Sequence, residues 1–163
     1  MEATDDKESS LDGVFLMGGS YTLEMGPTLT MEYLCNGPGY SDNQAELFYQ
    51  LRERASEAYH LPSPGDLSRL TLSHTADPKM RFLRKNYLML QYIHHDIRDV
   101  LNLTFRWTQN LDDGSGHFIS IIEYLLGDHI ELFSTGGINT GNHDTEFRTF
   151  LDVQWMIGME YTF

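Results

Sequence analysis

The last nine residues, WMIGMEYTF, constrain the fold more than any other stretch of this chain. Every second residue is apolar or aromatic, whereas the residues between them are small or polar except at Met156. A period of two is the mark of a β-strand, in which successive side chains point to opposite faces. The ends of soluble chains are usually polar and frayed, so a strand with one apolar face at this place is unusual. The apolar positions are Trp155, Ile157, Met159, Tyr161 and Phe163.

Alternation of the same kind predicts further strands along the chain. The clearest is VLNLTFRWTQ, whose apolar face carries Leu101, Leu103, Phe105 and Trp107 and whose polar face carries Asn102, Thr104, Arg106 and Thr108. Each strand is about ten residues long, which is the length that a tilted strand needs to cross a bilayer. The predicted strands cover about 13–23, 28–36, 86–95, 100–109, 117–126, 129–135 and 148–163.

A helix is predicted in the long interruption of the strand pattern, residues 37–84. Ser41 and Gln44 have the spacing of a capping box. Apolar residues then recur at helical spacing up to Tyr59, and Pro62 and Pro64 are expected to end the helix. The simplest interpretation of this apolar stripe is packing against the rest of the fold, and we prefer it to a ligand groove.

The connections between the predicted strands alternate in length. Short turns lie near 24–27, 96–99 and 127–128, and long loops cover 37–84, 110–116 and 136–147. A meander with tight turns at one end and long loops at the other is typical of membrane barrels, whereas a Greek-key sandwich has no reason to sort its loops. We therefore predict an all-β fold, an antiparallel up-and-down meander of about seven to eight strands that forms all or part of a transmembrane β-barrel.

Aromatic residues also fall near the two predicted ends of the strands. Membrane barrels carry aromatic girdles at both interfaces, although aromatics are common in soluble strands too. The short-turn end holds Tyr21, Tyr92, Tyr161 and Phe163, and the long-loop end holds Tyr33 and Trp107.

Composition excludes several partners and chemistries. The net charge of −13 and the pI of about 4.7 argue against nucleic acid, because no basic stripe is present to neutralise phosphates. The basic cluster of Lys79, Arg81, Arg84 and Lys85 is interpreted as a solvated loop end. The one cysteine, Cys35, is expected to be a small apolar strand residue. No stretch approaches the roughly eighteen consecutive apolar residues of a membrane-spanning helix.

The alternation from Trp155 to Phe163 resembles the C-terminal signature of bacterial outer-membrane β-barrel proteins of the porin-like kind. The segments EYLCNGPGYS and NLDDGSGHF are similar to strand-to-loop junctions in that family, and the resemblance covers about residues 13–163. It implies location in the outer membrane of a Gram-negative bacterium. It also implies contact with outer-membrane lipid and lipopolysaccharide, recognition by the barrel-assembly machinery, and possible homo-oligomers.

The resemblance also implies a topology, with short turns in the periplasm and long loops outside. Single-chain bacterial barrels have an even number of strands, whereas seven are predicted here. The polar, acidic residues 1–10 lack the apolar core of a signal peptide. We therefore expect residues 1–12 to be disordered or part of an external loop. We expect residues 13–163 to be a single barrel domain, the C-terminal part of a larger barrel.

In the barrel interpretation the polar faces of the strands line a water-filled lumen. Arg106 lies among carboxylates, so it either selects solutes through its field or pairs with a carboxylate to fill the interior. The expected lumen residues are Glu32, Asn102, Thr104, Arg106, Asp152, Gln154 and Glu160.

Metal and catalytic sites are not indicated. His94 and His95 are adjacent on a strand, so their side chains point to opposite faces and cannot chelate one ion together. The run 112–115, DDGS, resembles a calcium loop but lacks its full spacing, and a hairpin loop is the better interpretation. The run 142–144, NHD, has no nucleophile elbow to support it. We expect no cofactor, no metal and no enzymatic activity.

The favoured function is a porin-like channel for passive passage of small solutes. One alternative is a plugged structural or adhesive barrel that displays its external loops. Another is a soluble lipocalin-like or sandwich domain, which would stay in solution without detergent. A membrane-embedded hydrolase that depends on His143 is the fourth hypothesis.

Overall fold

The structure is a computed structural model, and it describes residues 13–60, 66–75, 82–142, 144–148 and 152–163. Within this part of the chain there are seven strands and two helices. The chain divides into a helical unit, Asn36–Lys85 with Gly13, and a sheet unit, Val14–Cys35 with Asn86–Phe163. The strands are β1 Val14–Thr22, β2 Thr28–Asn36, β3 Asn86–Ile97, β4 Leu101–Asn110, β5 Gly116–Leu126, β6 Ile130–Thr140 and β7 Val153–Tyr161.

The seven strands form one sheet in the order in which they occur along the chain. From β2 to β7 each strand pairs antiparallel with the next. The predicted all-β antiparallel meander is therefore confirmed. Among the described residues the sheet is open, and β1 and β7 lie at its two edges.

Tight turns join the strands at one end of the sheet, which we call the turn end. At the first turn, the Leu23 N–H donates to the Pro27 carbonyl over 2.8 Å and the Gly26 N–H donates back to the Leu23 carbonyl over 2.9 Å. Gly26 has a φ of 103° and Gly127, in the third turn, has a φ of 70°. Both angles lie in the left-handed region that glycine adopts without a steric cost. The opposite end, where the longer connections lie, is called the loop end.

The sixth strand differs from its prediction. It continues to Thr140, so the residues GGINT are strand although they were predicted as loop. In the sequence, the two consecutive glycines predict a loop. In the structure, both are paired with residues of β7. The Trp155 ring lies 3.7 Å from where a Cβ of Gly136 would be, and the Gln154 side chain lies directly over Gly137. Side chains of the neighbouring strand thus cover the backbone of the two glycines, as aromatic side chains often do for glycines in strands.

The helical unit contains two helices where one was predicted. α1 spans Asp42–Tyr59 and α2 spans Asp66–Thr75. The start of α1 agrees with the capping box, since the Ser41 N–H donates to the Gln44 Oε1 over 3.0 Å. The sequence of α2, DLSRLTLSHT, is short and rich in Ser and Thr, so its stability comes from contact with α1 rather than from propensity. Pro62 and Pro64 lie outside the described residues, and neither described helix is long and apolar enough to cross a membrane.

The prediction of a solvated basic cluster was wrong for Arg84. Its side chain is buried within the helical unit. It donates to the Ser41 carbonyl over 3.1 Å and forms an ion pair with Asp42, at the start of α1. Arg84 is therefore a buried, paired residue with a structural role in the helical unit. Lys79 and Arg81, of the same predicted cluster, lie outside the described residues.

Candidate functional site

The strand register divides the side chains of the sheet between two faces. Residues that are directly paired across strands share a face. One such row runs Met31, Leu90, Trp107, Phe118, Ile138 and Val153, and we call this side the apolar face. The next row runs Thr30, Gln91, Arg106, Ile119, Gly137 and Gln154, and it belongs to the polar face.

All of the residues expected to line a lumen fall on the polar face. Glu32 lies on β2, and the row that starts with it passes through Met89 to Thr108 on β4. The three predicted residues of β4 are in phase with Thr108. On β7, Glu160 is in phase with Gln154, and Asp152 directly precedes the strand. The set is Glu32, Asn102, Thr104, Arg106, Asp152, Gln154 and Glu160.

These polar residues do not converge on one point. Arg106 donates through its Nε to the Gln91 Oε1 over 2.7 Å, and through a second N–H to the same oxygen. Its partner is thus an amide rather than the carboxylate that was expected if Arg106 merely fills the interior. Asn102 donates to Glu123 over 3.3 Å, at a separate place on the face. The predicted lumen residues are therefore spread over the polar face, which they share with apolar residues such as Met89 and Ile119.

The apolar face is exposed, most of all on the last strand. The exposed fraction is 71% for Trp155, 64% for Ile157 and 66% for Met159. The strand itself ends at Tyr161, and Phe163 follows in the same phase and is also exposed. The five residues predicted to form the C-terminal signature thus all have exposed side chains.

Aromatic side chains stack across the strands of the apolar face. The ring of Phe105 lies 6.1 Å from that of Tyr92 and 6.1 Å from that of Phe118, in both cases nearly parallel. Trp107 lies 6.4 Å from Phe118 in a tilted arrangement. Such cross-strand aromatic pairs stabilise neighbouring strands directly. Contacts within the face thus help to hold the sheet together.

A buried polar cluster lies at the loop end of the sheet, and its centre is Glu146. The Glu146 Oε2 accepts a hydrogen bond from the Tyr87 hydroxyl over 2.5 Å and another from the Asn110 Nδ2 over 2.8 Å. The exposed fraction is 0% for Asn110, 1% for Tyr87 and 7% for Glu146. Buried polar groups need such partners, because each unpaired one is costly. The buried residues of this cluster are Tyr87, Thr108, Asn110, Ser115, Thr145 and Glu146.

The hairpin loop between β4 and β5 supplies the acceptors that organise this cluster. The Asp113 Oδ1 accepts from the Ser115 N–H over 2.8 Å and from its hydroxyl over 2.6 Å. The other oxygen of Asp113 accepts from the Glu146 N–H over 2.9 Å. Asp112 accepts from the Asn86 N–H over 2.8 Å. These carboxylates therefore accept hydrogen bonds from the loop itself, from the start of β3 and from the β6–β7 connection, and the DDGS run is a hairpin loop, as predicted.

A short segment of the β6–β7 connection, residues 144–148, lies across the polar face at the loop end, and we call it the strap. The Phe147 ring is stacked on His117 at 5.9 Å and meets the edge of Tyr87 at 6.4 Å. Arg148 donates to the Gly141 carbonyl over 2.8 Å. The strap joins β6 to β7, yet its partners in the sheet belong to β3, β4 and β5. It thus spans several strands of the sheet.

The cluster and the strap were missed by sequence reasoning. Only the turn signal of the DDGS run pointed to this region. Tyr87 is the second residue of β3 and Glu146 lies in an irregular segment, so no periodicity connects them. His143, on which the hydrolase hypothesis depends, lies outside the described residues, as do residues 1–12.

No protein-family model, no curated protein and no solved structure matches this chain. Its function must therefore be inferred from the three surfaces described above. These are the exposed apolar face, the polar face and the strap.

Proposed function

We propose that the sheet unit forms part of the wall of an outer-membrane β-barrel, and that the barrel is a porin-like channel for passive passage of small solutes. The observation that carries this proposal is the inverted polarity of the sheet unit. Its apolar face is exposed across many strands, whereas its fully buried side chains form a mainly polar cluster. A soluble domain is expected to have the opposite arrangement, with apolar side chains in its core.

The extent of the exposed apolar face supports contact with lipid. Soluble monomers rarely expose contiguous apolar patches beyond a few hundred Å², and larger ones mark membrane or protein contacts. The strands have 9 to 12 residues, close to the ~9–11 that a tilted membrane strand needs. The exposed apolar residues of this face include Phe15, Met17, Tyr21, Leu29, Met31, Leu90, Tyr124, Leu126, Leu132, Ile138, Val153, Trp155, Ile157, Met159 and Tyr161.

The polar face supports the channel. In a barrel whose outer surface is apolar, the other face of every strand points to the interior. Here that face carries Arg106 and several carboxylates, groups that water solvates well and lipid does not. A polar interior of this kind conducts small hydrophilic solutes when it is wide enough to hold water.

The edges of the sheet set a condition on the proposed barrel. Open edges are not tolerated in lipid, because their N–H and C=O groups have no water to bind. β1 and β7 both run from the loop end to the turn end, since an even number of reversals separates them. An odd number of additional strands, antiparallel to both edges, would close the sheet and give the even total that bacterial barrels have.

The plugged barrel is the second candidate, and the strap is the observation that favours it. A segment folded over the polar face reduces the space that is available to solutes. In that case the molecule is a structural or adhesive barrel that displays its loops. The two candidates share the same membrane-facing surface and differ in whether ions pass.

Two measurements test the proposal. The first is an immunoblot of fractionated source cells against the helical unit, with and without boiling. A membrane band that shifts on boiling supports the barrel, and a band in the soluble fraction refutes it. The second is single-channel recording on the purified protein in a planar bilayer. Steady current supports the channel, and a correctly inserted protein without current supports the plugged barrel.

A further inference from the structure

We infer that the strap, residues 144–148, forms the narrowest part of the proposed channel, and that Glu146 is the residue that anchors it there. This inference rests on the proposed function and deepens it. It names the segment that limits the size of the solutes.

The position of the strap is the first argument. Its side chains contact residues of the polar face on β5, which is next to β6, and on β4 and β3, which lie further along the sheet. Phe147 contacts His117 of β5 and Tyr87 of β3, and Glu146 binds Asn110 at the end of β4. A segment that crosses this face lies in the path of any solute that moves along it.

The second argument is that the strap is held by several bonds of different kinds. The Glu146 carboxylate binds two side chains of the sheet, and its backbone N–H donates to Asp113. The Phe147 N–H also donates to the Ser115 hydroxyl over 3.4 Å. Because these groups are buried, releasing one of them leaves a polar partner unsatisfied. In the proposed channel the strap is therefore a fixed part of the lumen rather than a loop that moves freely in solvent.

Glu146 differs from the nearby Asp144 in its burial. Both are acidic residues of the strap, but Asp144 is exposed and Glu146 is buried. A change at Glu146 is expected to release the strap. The same change at Asp144 removes one charge from the strap and leaves the anchor in place. This pair gives a matched control on one short segment.

The experiment compares single-channel conductance and sugar-driven swelling of liposomes for the wild type, Glu146→Ala, Glu146→Gln and Asp144→Ala. The probes are a monosaccharide and a tetrasaccharide of neutral charge. We expect Glu146→Ala to raise conductance roughly twofold or more and to admit the tetrasaccharide, because passage depends on the narrowest part of a pore. Glu146→Gln keeps an acceptor oxygen for Tyr87 and Asn110, so it should resemble the wild type, as should Asp144→Ala.

Folding of each variant is checked by the mobility shift on boiling. If Glu146→Ala does not fold, Tyr87→Phe takes its place, since it removes only one hydroxyl donor from the anchor. A folded Glu146→Ala, or Tyr87→Phe in its place, with wild-type conductance and sugar cut-off overturns the inference and leaves the channel intact. A wild-type protein that is inserted but carries no current overturns the proposed function itself, so the two failures are distinguishable.

Discussion

The last strand and the loop-end cluster are opposite in almost every physical respect. On β7 the large apolar side chains are more than half exposed, whereas around Glu146 the polar side chains are almost completely buried. β7 derives little of its stability from packing against a second layer, and the cluster depends on hydrogen bonds between distant segments. The comparison teaches that this sheet buries polar groups that are hydrogen-bonded and leaves many of its large apolar side chains exposed.

The largest effect is expected from a charge on the apolar face of β7. If the sheet is the proposed barrel wall, Ile157→Lys should lower the stability of the inserted protein by about 2–4 kcal/mol, because a lysine near the bilayer midplane is costly. The matched control is Gln154→Lys, on the polar face of the same strand, which should insert normally. Insertion is measured by the mobility shift on boiling after reconstitution. If both variants insert equally well, the contrast between the two faces does not reflect lipid contact.

The next largest effect on stability is expected in the buried polar cluster around Glu146. Glu146→Ala should destabilise the protein by about 2 kcal/mol, because the Tyr87 hydroxyl and the Asn110 amide lose their acceptor in a buried place. Asp144→Ala, on the exposed part of the strap, should change the free energy of unfolding by less than about 0.5 kcal/mol. Denaturant unfolding in detergent measures both. Equal effects would contradict the assignment of Glu146 as the anchor.

A smaller effect is expected where side chains of one strand cover the backbone of the next. A Cβ on Gly158 would lie 2.1 Å from the Phe133 Cζ, so the ring must move. Gly158→Ala should therefore cost about 1–2 kcal/mol through overpacking. Gly19 of β1 has nothing within 4 Å of the same position, and Gly19→Ala should be neutral or slightly stabilising. The ranking of the two unfolding midpoints decides this prediction.

The smallest effect on stability is expected for Arg106. Its side chain is exposed on the polar face and bound to Gln91, so Arg106→Gln should change the free energy of unfolding by less than about 0.5 kcal/mol. In the proposed channel the same change removes a positive charge from the lumen and should shift the reversal potential toward cation selectivity. A reversal potential that does not move, in a channel that still conducts, would place Arg106 away from the path of the ions.

The strands and the assignment of residues to faces were predictable because both depend on a local pattern. A period of two in VLNLTFRWTQ specifies which side chains share a face, whatever the rest of the chain does. The structure agrees for β4 and β7, down to the shared face of Arg106 and Gln154. The start of α1 was predictable for the same reason, since a capping box involves residues only three positions apart.

The end of β6 and the presence of α2 were not predictable in this way. Gly136 and Gly137 signal a loop when read alone, and they become strand only because Trp155 and Gln154 of the next strand cover them. The α2 segment has weak helical propensity and is stabilised by α1. In both places a tertiary contact outweighed the local preference.

The sequence by itself thus determined where the strands lie, apart from the end of β6, together with their two faces and the apolar C-terminal segment, since each depends on neighbours within a few residues. The tertiary structure alone decided the anchor of the strap. Tyr87 and Glu146 are 59 positions apart, and their hydrogen bond joins β3 to a segment that follows β6 in the chain. No local pattern encodes such a contact, because its free energy depends on burial that the chain acquires only when the whole sheet is assembled.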